Sequence, residues 1–308
     1  MIDYDPHNWR SHLLDIRGSL LPEIMGRVAT CVVWSLVVTI AHVYLLQNHQ
    51  ISLGVPVMVH TLLGTALGLL LVFRTNSSYD KFWEGRKLWG GMVNECRNLA
   101  RQANSMLRAA PEVRQQVILW TAAFPYAAMS ALRGTRGLSP SSSQLPKHRV
   151  DEVLAAQHLP SAVTAQISLA LVAARDQRAI SDFLLGTIDG NLNLLIDYVG
   201  ACERIHRTPV PYAYVVHLRR ALYLYCFTLP FALVSELEWW TVGGTFLVSY
   251  IFFGIEEIGV EIEDPFGFDE NDLPLERYCH TIEANLLAVL DVKEAAEQPI
   301  AAPTNGEG

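Results

Sequence analysis

The sequence predicts an all-α integral membrane protein with four transmembrane helices in two hairpins and a large cytoplasmic helical region. Of its 308 residues, 51% are hydrophobic and only 18% are charged, whereas soluble domains carry about 25% charged residues. The shortage of charge is concentrated in a few long apolar windows. Between those windows, hydrophobic residues recur at the three- and four-residue spacing that is typical of amphipathic helices.

Four apolar windows are the candidate membrane helices. The first two, 28–46 and 55–73, contain no Asp, Glu, Lys or Arg. At about 1.5 Å per residue, each can cross a hydrocarbon layer of about 30 Å. The third window, 221–235, is shorter, but Arg219 and Arg220 just before it have side chains long enough to reach the membrane surface. The fourth window is 239–255 and begins with two tryptophans, which favour the membrane–water interface.

The distribution of basic residues predicts the orientation of these windows. The two short links, 47–54 and 236–238, contain neither Lys nor Arg. The basic residues near the other ends of the windows are Arg10, Arg17, Arg27, Arg74, Lys81, Arg86, Lys87, Arg204, Arg207, Arg219 and Arg220. Since cytoplasmic loops of membrane proteins are enriched in Lys and Arg, we expect a multi-pass protein of the cell inner (plasma) membrane with both termini in the cytoplasm.

This orientation predicts six regions along the chain. They are a cytoplasmic N-terminal segment (1–27), a first transmembrane hairpin (28–73), a cytoplasmic helical region (74–216), a second transmembrane hairpin (217–258), a cytoplasmic C-terminal segment (259–296) and a disordered tail (297–308). In the middle region, periodicity predicts helices over 77–108, 151–159 and 161–199, and composition predicts a loop over 134–148. The apolar stretch 117–132, with Pro125 inside it, is either a buried helix of a cytoplasmic bundle or a fifth span.

Composition and motifs argue against several classes of function. The net charge is −8, and nucleic-acid binding usually requires a basic face. The phosphate-binding glycine loops, the HExxH zinc motif and the GxSxG nucleophile motif are absent from the sequence, so we expect no enzymatic activity and no cofactor. The five cysteines form no CxxC pair and are predicted to be buried thiols; they are Cys31, Cys96, Cys202, Cys226 and Cys279.

The second apolar window has two distinct faces. Gly64 and Gly68 form a GxxxG pattern, which permits close approach of a neighbouring helix. A different face carries Met58, Leu62, Ala66 and Leu70 at four-residue intervals. That apolar stripe can line a pore in a ring of subunits, where an apolar constriction gates by dewetting, or it can face lipid.

An acidic run follows the fourth window. Its members are Glu261, Glu263, Asp264, Asp269, Glu270 and Asp272, and Pro265 and Gly267 interrupt it. Oxygen-rich turns of this kind can bind Ca²⁺, although the spacing is not that of an EF-hand loop; the alternative is the end of a helix followed by a solvated charged segment. A metal-dependent membrane enzyme would use this cluster with His206 or His280.

Three segments together resemble the bestrophin family of ion channels, and the resemblance covers roughly residues 10–290. The first segment is Arg17-Gly18-Ser19, before the first window. The second is Phe73-Arg74 followed by SSYDKFWEGRKLWGG, with Tyr79, Asp80, Trp83, Glu84 and Arg86 in the family's places. The third is Asp264-Pro265-Phe266-Gly267 with the acidic residues after it. The compact length is similar to that of prokaryotic members.

This resemblance implies a homopentamer around one central pore, embedded in the lipid bilayer and passing small inorganic ions. It implies a hydrophobic neck formed by Met58, Leu62, Ala66 and Leu70, with Ala66 small where family members often carry a bulky residue. It also implies a second, lower aperture in the cytoplasmic region, for which the candidates are Leu184, Leu185 and Ile188. Animal members hold Ca²⁺ in an acidic run that Asp269 and Asp272 match, while Asp264 replaces the asparagine of those members.

Selectivity is predicted from charge. The outer link between the third and fourth windows offers Glu236 and Glu238 and no base. Five chains of net charge −8 give about −40 per pentamer, which favours monovalent cations such as Na⁺ and K⁺ over chloride. The alternatives are an anion channel of the same architecture and a membrane scaffold that does not conduct. Aromatic ring edges at the pore favour anions, and the four-residue stripe contains no aromatic residue.

Overall fold

A computed structural model describes His7 and residues 18–297, with side chains up to residue 290. Over these ranges the chain is helical, with nine α-helices and no strand. The helices are α1 (Leu21–His49), α2 (Val57–Met106), α3 (Pro111–Leu132), α4 (Lys147–Ala155), α5 (Leu159–Asp176), α6 (Asp182–Arg207), α7 (Tyr212–Leu237), α8 (Thr241–Glu261) and α9 (Leu275–Glu297). Most of the predicted N-terminal segment 1–27, and the predicted tail beyond residue 297, lie outside the described residues.

Each apolar window is helical. Among the described residues, three helical runs are long and apolar enough to cross a membrane: Leu21–His49, Val57–Met106 and Tyr212–Glu261. The third run contains both α7 and α8, which are separated by a single 3₁₀ turn at Glu238–Trp240. Glu238 has a φ of 48°, a left-handed conformation that ends α7 and reverses the chain.

The chain forms two compact units: one comprises the chain up to Glu84 with Arg207–Asp272, and the other comprises Gly85–His206 with the chain from Leu273. In the first unit, α7 and α8 pack antiparallel, since Tyr223 contacts Phe253 and Tyr225 contacts Phe252, each with ring centroids 5.3 Å apart. The buried core of this unit draws on α1, α2, α7 and α8; its members are Ile24, Val28, Cys31, Leu67, Leu71, Leu218, Leu222, Cys226 and Phe253.

The link between α1 and α2 packs closely against the end of α7. The Val55 N–H donates to the Phe231 carbonyl at 2.9 Å. A Cβ added at Gly54 would lie 1.6 Å from Ser235 Oγ and 2.8 Å from Ser235 Cβ, so only glycine fits here without displacement of the link.

We therefore expect Gly54→Ala to lower the free energy of unfolding by about 1–3 kcal/mol, measured as a lower midpoint of thermal unfolding in detergent. Gly26→Ala is the matched control, because an added Cβ at Gly26 in α1 meets nothing within 4 Å in the described part of the chain. Equal unfolding midpoints for the two variants would contradict the close packing of this link.

The second unit is built around α3. Most of α3 from Val117 to Leu132 is buried, including the large side chains of Trp120 and Phe124, and the helix packs against α5 and α9. The apolar stretch 117–132 is thus a helix buried inside this unit, the first of the two alternatives that the sequence left open. This part of α3 is apolar around its whole circumference, because protein surrounds the helix on all sides.

A buried carboxylate joins α9 to α3 in this unit. Glu283 is 5% exposed and accepts hydrogen bonds from the Tyr126 hydroxyl at 2.8 Å and from the Ser141 N–H at 2.9 Å. Burial, together with the hydrogen bond to Glu283, raises the pKa of Tyr126 above its ordinary value. Because both oxygens of Glu283 have donors, the carboxylate is a structural group whose burial is compensated.

One predicted helix is two helices. The range 161–199 was predicted to be continuous, but α5 ends at Asp176 and α6 begins at Asp182. Arg178 adopts a φ of 59°, and the N–H groups of Arg178 and Ala179 bond to the carbonyls of Arg175 and Ala174. This is the Schellman arrangement, which usually places glycine at the left-handed position. With arginine there, the sequence gives no signal for the break.

The other elements predicted between residues 77 and 159 correspond to observed elements, with shifted ends. The helix predicted over 77–108 is part of α2, which ends at Met106. The loop 134–148 contains a short 3₁₀ turn, Pro140–Gln144, and the helix predicted over 151–159 begins earlier, at Lys147, and ends at Ala155. All five cysteines are free and buried, which confirms that they are buried thiols.

Candidate functional site

The first half of α2 has one face whose side chains are largely exposed among the described residues. Met58 is 74% exposed, Leu62 64%, Leu69 57% and Phe73 59%, and Ala66 between them is also exposed. At about 100° per residue, these five positions fall within an arc of about 80° on the helix surface. Large apolar side chains rarely stand exposed in such a row unless they face lipid, a partner or a pore.

The opposite face of α2 is held against α7. The His60 Nε2 lies 2.9 Å from the Thr228 hydroxyl, and the Tyr214 hydroxyl donates to the Leu70 carbonyl at 3.1 Å. Between them, Gly64 leaves room for Tyr225, whose hydroxyl oxygen would lie 2.6 Å from a Cβ at that position. The GxxxG pattern therefore permits close helix approach at Gly64, as the sequence predicted, whereas a Cβ at Gly68 would meet no described atom within 4 Å.

The structure separates the four predicted neck residues. Met58, Leu62 and Ala66 lie on the exposed face, but Leu70 is partly buried against the core of the unit. Steps of four residues advance by about 40° on a helix of 3.6 residues per turn, so the predicted stripe drifts off the exposed face by its fourth member. Leu69 and Phe73 occupy that face instead, and neither was among the predicted neck residues. The assignment of the four predicted residues to a neck stays a prediction.

The lower-aperture candidates differ in burial. Leu184 and Leu185, in the first turn of α6, are half-buried, whereas Ile188 is fully buried in the core of its unit. Burial of Ile188 within its own unit favours the two half-buried leucines, and the assignment of a lower aperture to this region stays a prediction. Phe183, the residue before Leu184, is 81% exposed.

The proposed outer-mouth residues lie in the last turn of α7 and in the short 3₁₀ turn that follows it. Glu236 and Glu238 are both exposed, and Trp239 and Trp240 beside them are exposed as well. This combination of carboxylates and tryptophans is typical of a membrane–water interface.

A buried carboxylate joins α1, α7 and α8 at the other end of these helices. Glu256 is 2% exposed and accepts hydrogen bonds from Arg219 Nε at 2.8 Å and from Arg27 Nη1 at 3.4 Å. The same Arg27 nitrogen donates to Glu257 at 2.6 Å. Three helices are thus cross-linked by two arginines and two carboxylates.

A second ionic cluster surrounds Glu263, just after α8. Arg74 is 3% exposed, and its Nη2 lies 3.2 Å from one oxygen of Glu263. The other oxygen of Glu263 accepts from Lys81 Nζ at 3.3 Å and from the Val210 N–H. From the sequence, Glu263 was predicted only as a member of the acidic run. Its partners were not predicted, because Arg74 and Lys81 are far from Glu263 in the chain.

The acidic turn uses its carboxylates to hold the backbone. Asp272 is 3% exposed, and its Oδ2 accepts from the Asp269 N–H at 2.8 Å. Asn271 Nδ2 donates to Glu261 at 2.7 Å and to the Gly18 carbonyl at 3.3 Å. Within the described ranges, no group of three or more His, Cys, Asp or Glu residues is placed to hold a metal ion, and a Ca²⁺ ion at Asp269 and Asp272 stays a prediction.

The helical fold and the three runs of membrane-spanning length, within the described residues, are those of a helical membrane protein. The sequence matches the family described as "Bacterial/Fungal Bestrophin protein" over residues 1–288, and the chain belongs to that family. The resemblance inferred from the three sequence segments is confirmed.

Similar proteins agree with this assignment. The chain is 40% identical over 283 residues to the "Voltage-dependent anion channel-forming protein alr2987" of Nostoc sp., covering 91% of both chains. It is 31% identical over 295 residues to the "Voltage-dependent anion channel-forming protein YneE" of Escherichia coli K12, covering 96% of this chain and 95% of that protein. A crystal structure of a bacterial bestrophin homolog from Klebsiella pneumoniae superposes with a TM-score of 0.79 at 33% identity, covering 87% of this chain and 98% of that one.

Proposed function

We propose that this chain is a subunit of a homopentameric ion channel, with α1, the first half of α2, α7 and α8 crossing the plasma membrane and both termini in the cytoplasm. The observation that carries the proposal is the division of α2 into two faces. One face is fixed to α7 by Gly64, His60 and Leu70, and the other leaves an apolar row largely exposed among the described residues. Five copies of that row enclose an apolar neck.

The neck carries no charge that could select ions. The exposed row consists of Met58, Leu62, Ala66, Leu69 and Phe73. An apolar passage of this kind controls permeation by its wetting and its width. For the second narrowing we propose Leu184 and Leu185, at the start of α6.

We propose that the permeant ions are small monovalent anions such as chloride. The preference for cations that the net charge suggested is not supported by the comparisons, since the relatives are named anion channel-forming proteins. One residue adds a physical reason: Phe73 is exposed on the row, and the edge of an aromatic ring carries a positive potential that favours anions.

Cation conduction is the second candidate, and one specific observation favours it. Glu236 and Glu238 are both exposed at the turn between α7 and α8, where five copies would place a ring of carboxylates at the outer mouth. Such rings raise the local concentration of cations.

Recording currents from the purified protein in planar bilayers with asymmetric KCl tests this proposal. We expect the reversal potential of the wild type to lie near the chloride equilibrium potential. Glu236→Gln is expected to shift it little, and Glu112→Gln, which removes an exposed carboxylate on α3, is the matched control. A reversal near the potassium potential that Glu236→Gln moves towards zero would establish the cation candidate. No current from verified pentamers would point to a scaffold.

A further inference from the structure

A groove runs along α7, on the outer surface of the first unit. It has a volume of about 660 Å³, and its lining is almost entirely apolar apart from two arginines. The residues that line it are Val216, Arg219, Arg220, Tyr223, Leu224 and Phe227. Their three- and four-residue spacing places them on one face of the helix. From first to last they span about 16 Å at 1.5 Å per residue, which is about half of a hydrocarbon layer of about 30 Å and matches one leaflet.

The charge in this groove is at one end only. Arg219 donates to Glu256, and Arg27 donates to Glu256 and Glu257, so these two arginines are balanced by two carboxylates. Arg220 is exposed, and among the residues with described side chains it has neither an ion pair nor a hydrogen bond. One uncompensated guanidinium therefore stands near one end of the groove, and the apolar lining from Arg220 to Phe227 is about 10 Å long.

A smaller cleft opens beside that end. It has a volume of about 230 Å³ and is lined by Arg27, Arg219, Leu222, Tyr223, Phe253 and Glu256. It shares Arg219 and Tyr223 with the groove. Tyr223 is 40% exposed, and an amphipathic ring of this kind lies at the level of lipid headgroups in membrane proteins. The cleft thus offers polar space next to the guanidinium groups.

We propose that this groove binds one anionic phospholipid. Its phosphodiester pairs with the guanidinium of Arg220, beside Arg219, and one acyl chain lies along Leu224 and Phe227. Charge complementarity favours an anionic lipid over a zwitterionic one. The headgroup of a zwitterionic lipid carries a cation that already neutralises its phosphate. The phosphate of an anionic lipid lacks that cation and can pair with Arg220. The proposal rests on α7 crossing the membrane, as proposed above, and not on ion conduction.

Fluorescence quenching by brominated lipid tests the site locally. The ring of Trp34 lies 6.0 Å from that of Phe227, so bromine on an acyl chain in the groove quenches Trp34. Since the chain has seven tryptophans, the Trp34 signal is the difference between the wild type and Trp34→Phe. Brominated phosphatidylglycerol is titrated at low mole fraction into mixed micelles of detergent and phosphatidylcholine that hold the protein, beside brominated phosphatidylcholine with the same chains.

We expect phosphatidylglycerol to quench Trp34 at lower mole fraction than phosphatidylcholine, and Arg220→Gln to weaken this apparent affinity about fivefold. Arg101→Gln, which removes an exposed arginine from α2 in the other unit, is expected to change nothing. Native mass spectrometry of the wild type and Arg220→Gln supplies a count of retained phosphatidylglycerol that does not require Trp34→Phe to fold.

Three results would overturn the proposal. Equal quenching by both lipids would show that the headgroup is not recognised. Preferential quenching that Arg220→Gln leaves unchanged would place the anionic lipid elsewhere. No quenching of Trp34 by either lipid would show that the groove is covered, for example by a neighbouring subunit. Each result is independent of whether the protein conducts, so a failed channel proposal and a failed lipid proposal are distinguishable.

Discussion

Glu263→Gln is expected to lower the free energy of unfolding by about 3 kcal/mol or more, because it leaves a buried arginine without its counter-charge. The Arg74 side chain is 2% exposed, and its aliphatic part lies against Gly259 of α8, where an added Cβ would be 3.4 Å from Arg74 Cγ. Arg74 Nε and Nη1 have no hydrogen-bond partner among the residues that the structure describes, so the contact with Glu263 is the main compensation for burial of this charge. Glutamine keeps the shape and removes the charge.

The midpoint of thermal unfolding of the purified protein measures this effect. Glu236→Gln is the matched control, because Glu236 is exposed in the last turn of α7 and an exposed carboxylate contributes little to stability. Combining Glu263→Gln with Arg74→Met is expected to recover part of the loss, since an apolar side chain of similar length needs no counter-charge. If Glu263→Gln unfolds at the same temperature as the control Glu236→Gln, the Arg74–Glu263 pair contributes no stability, contrary to what the structure indicates.

The sequence is a good guide to the helices in this fold because their signals are local. Windows 28–46 and 55–73 are continuously apolar. A segment that is too apolar for a loop and too long for a buried strand has few alternatives to a membrane helix. The environment of the buried helix around Trp120 was harder to predict from the sequence, because a helix surrounded by protein and one surrounded by lipid have similar compositions. Only its shortness and Pro125 favoured burial.

The contacts at the candidate site were less predictable because they are non-local. The acidic run that contains Glu263 is visible in the sequence, but its partners Arg74 and Lys81 lie more than 180 residues away. Periodicity also could not decide which apolar residues of a membrane helix face a neighbour. Leu70 and Leu69 are adjacent and chemically identical, yet the first packs against the core and the second is exposed.

The neck residues themselves are expected to control the size of the current. Leu62→Ala is expected to increase single-channel conductance or open probability about tenfold, because five truncated side chains widen and wet an apolar constriction. A tenfold change corresponds to only about 1.4 kcal/mol in the barrier, which is modest for a ring of five leucines. Within one subunit the truncation removes little packing, since Leu62 is 64% exposed, and Ala66, one turn further along, is too small to restore the constriction.

Leu63→Ala is the matched control for this experiment. Leu63 is also exposed, at 50%, and has the same chemistry at the same depth, but it lies about 100° around the helix from Leu62. Bilayer recordings of both variants beside the wild type separate the pore-facing from the lipid-facing interpretation of the row. A larger current from Leu62→Ala alone places the row in the ion pathway. Equal currents from all three proteins place it against lipid, and an increase with Leu63→Ala alone rotates the pore-lining face of α2 by about a quarter turn.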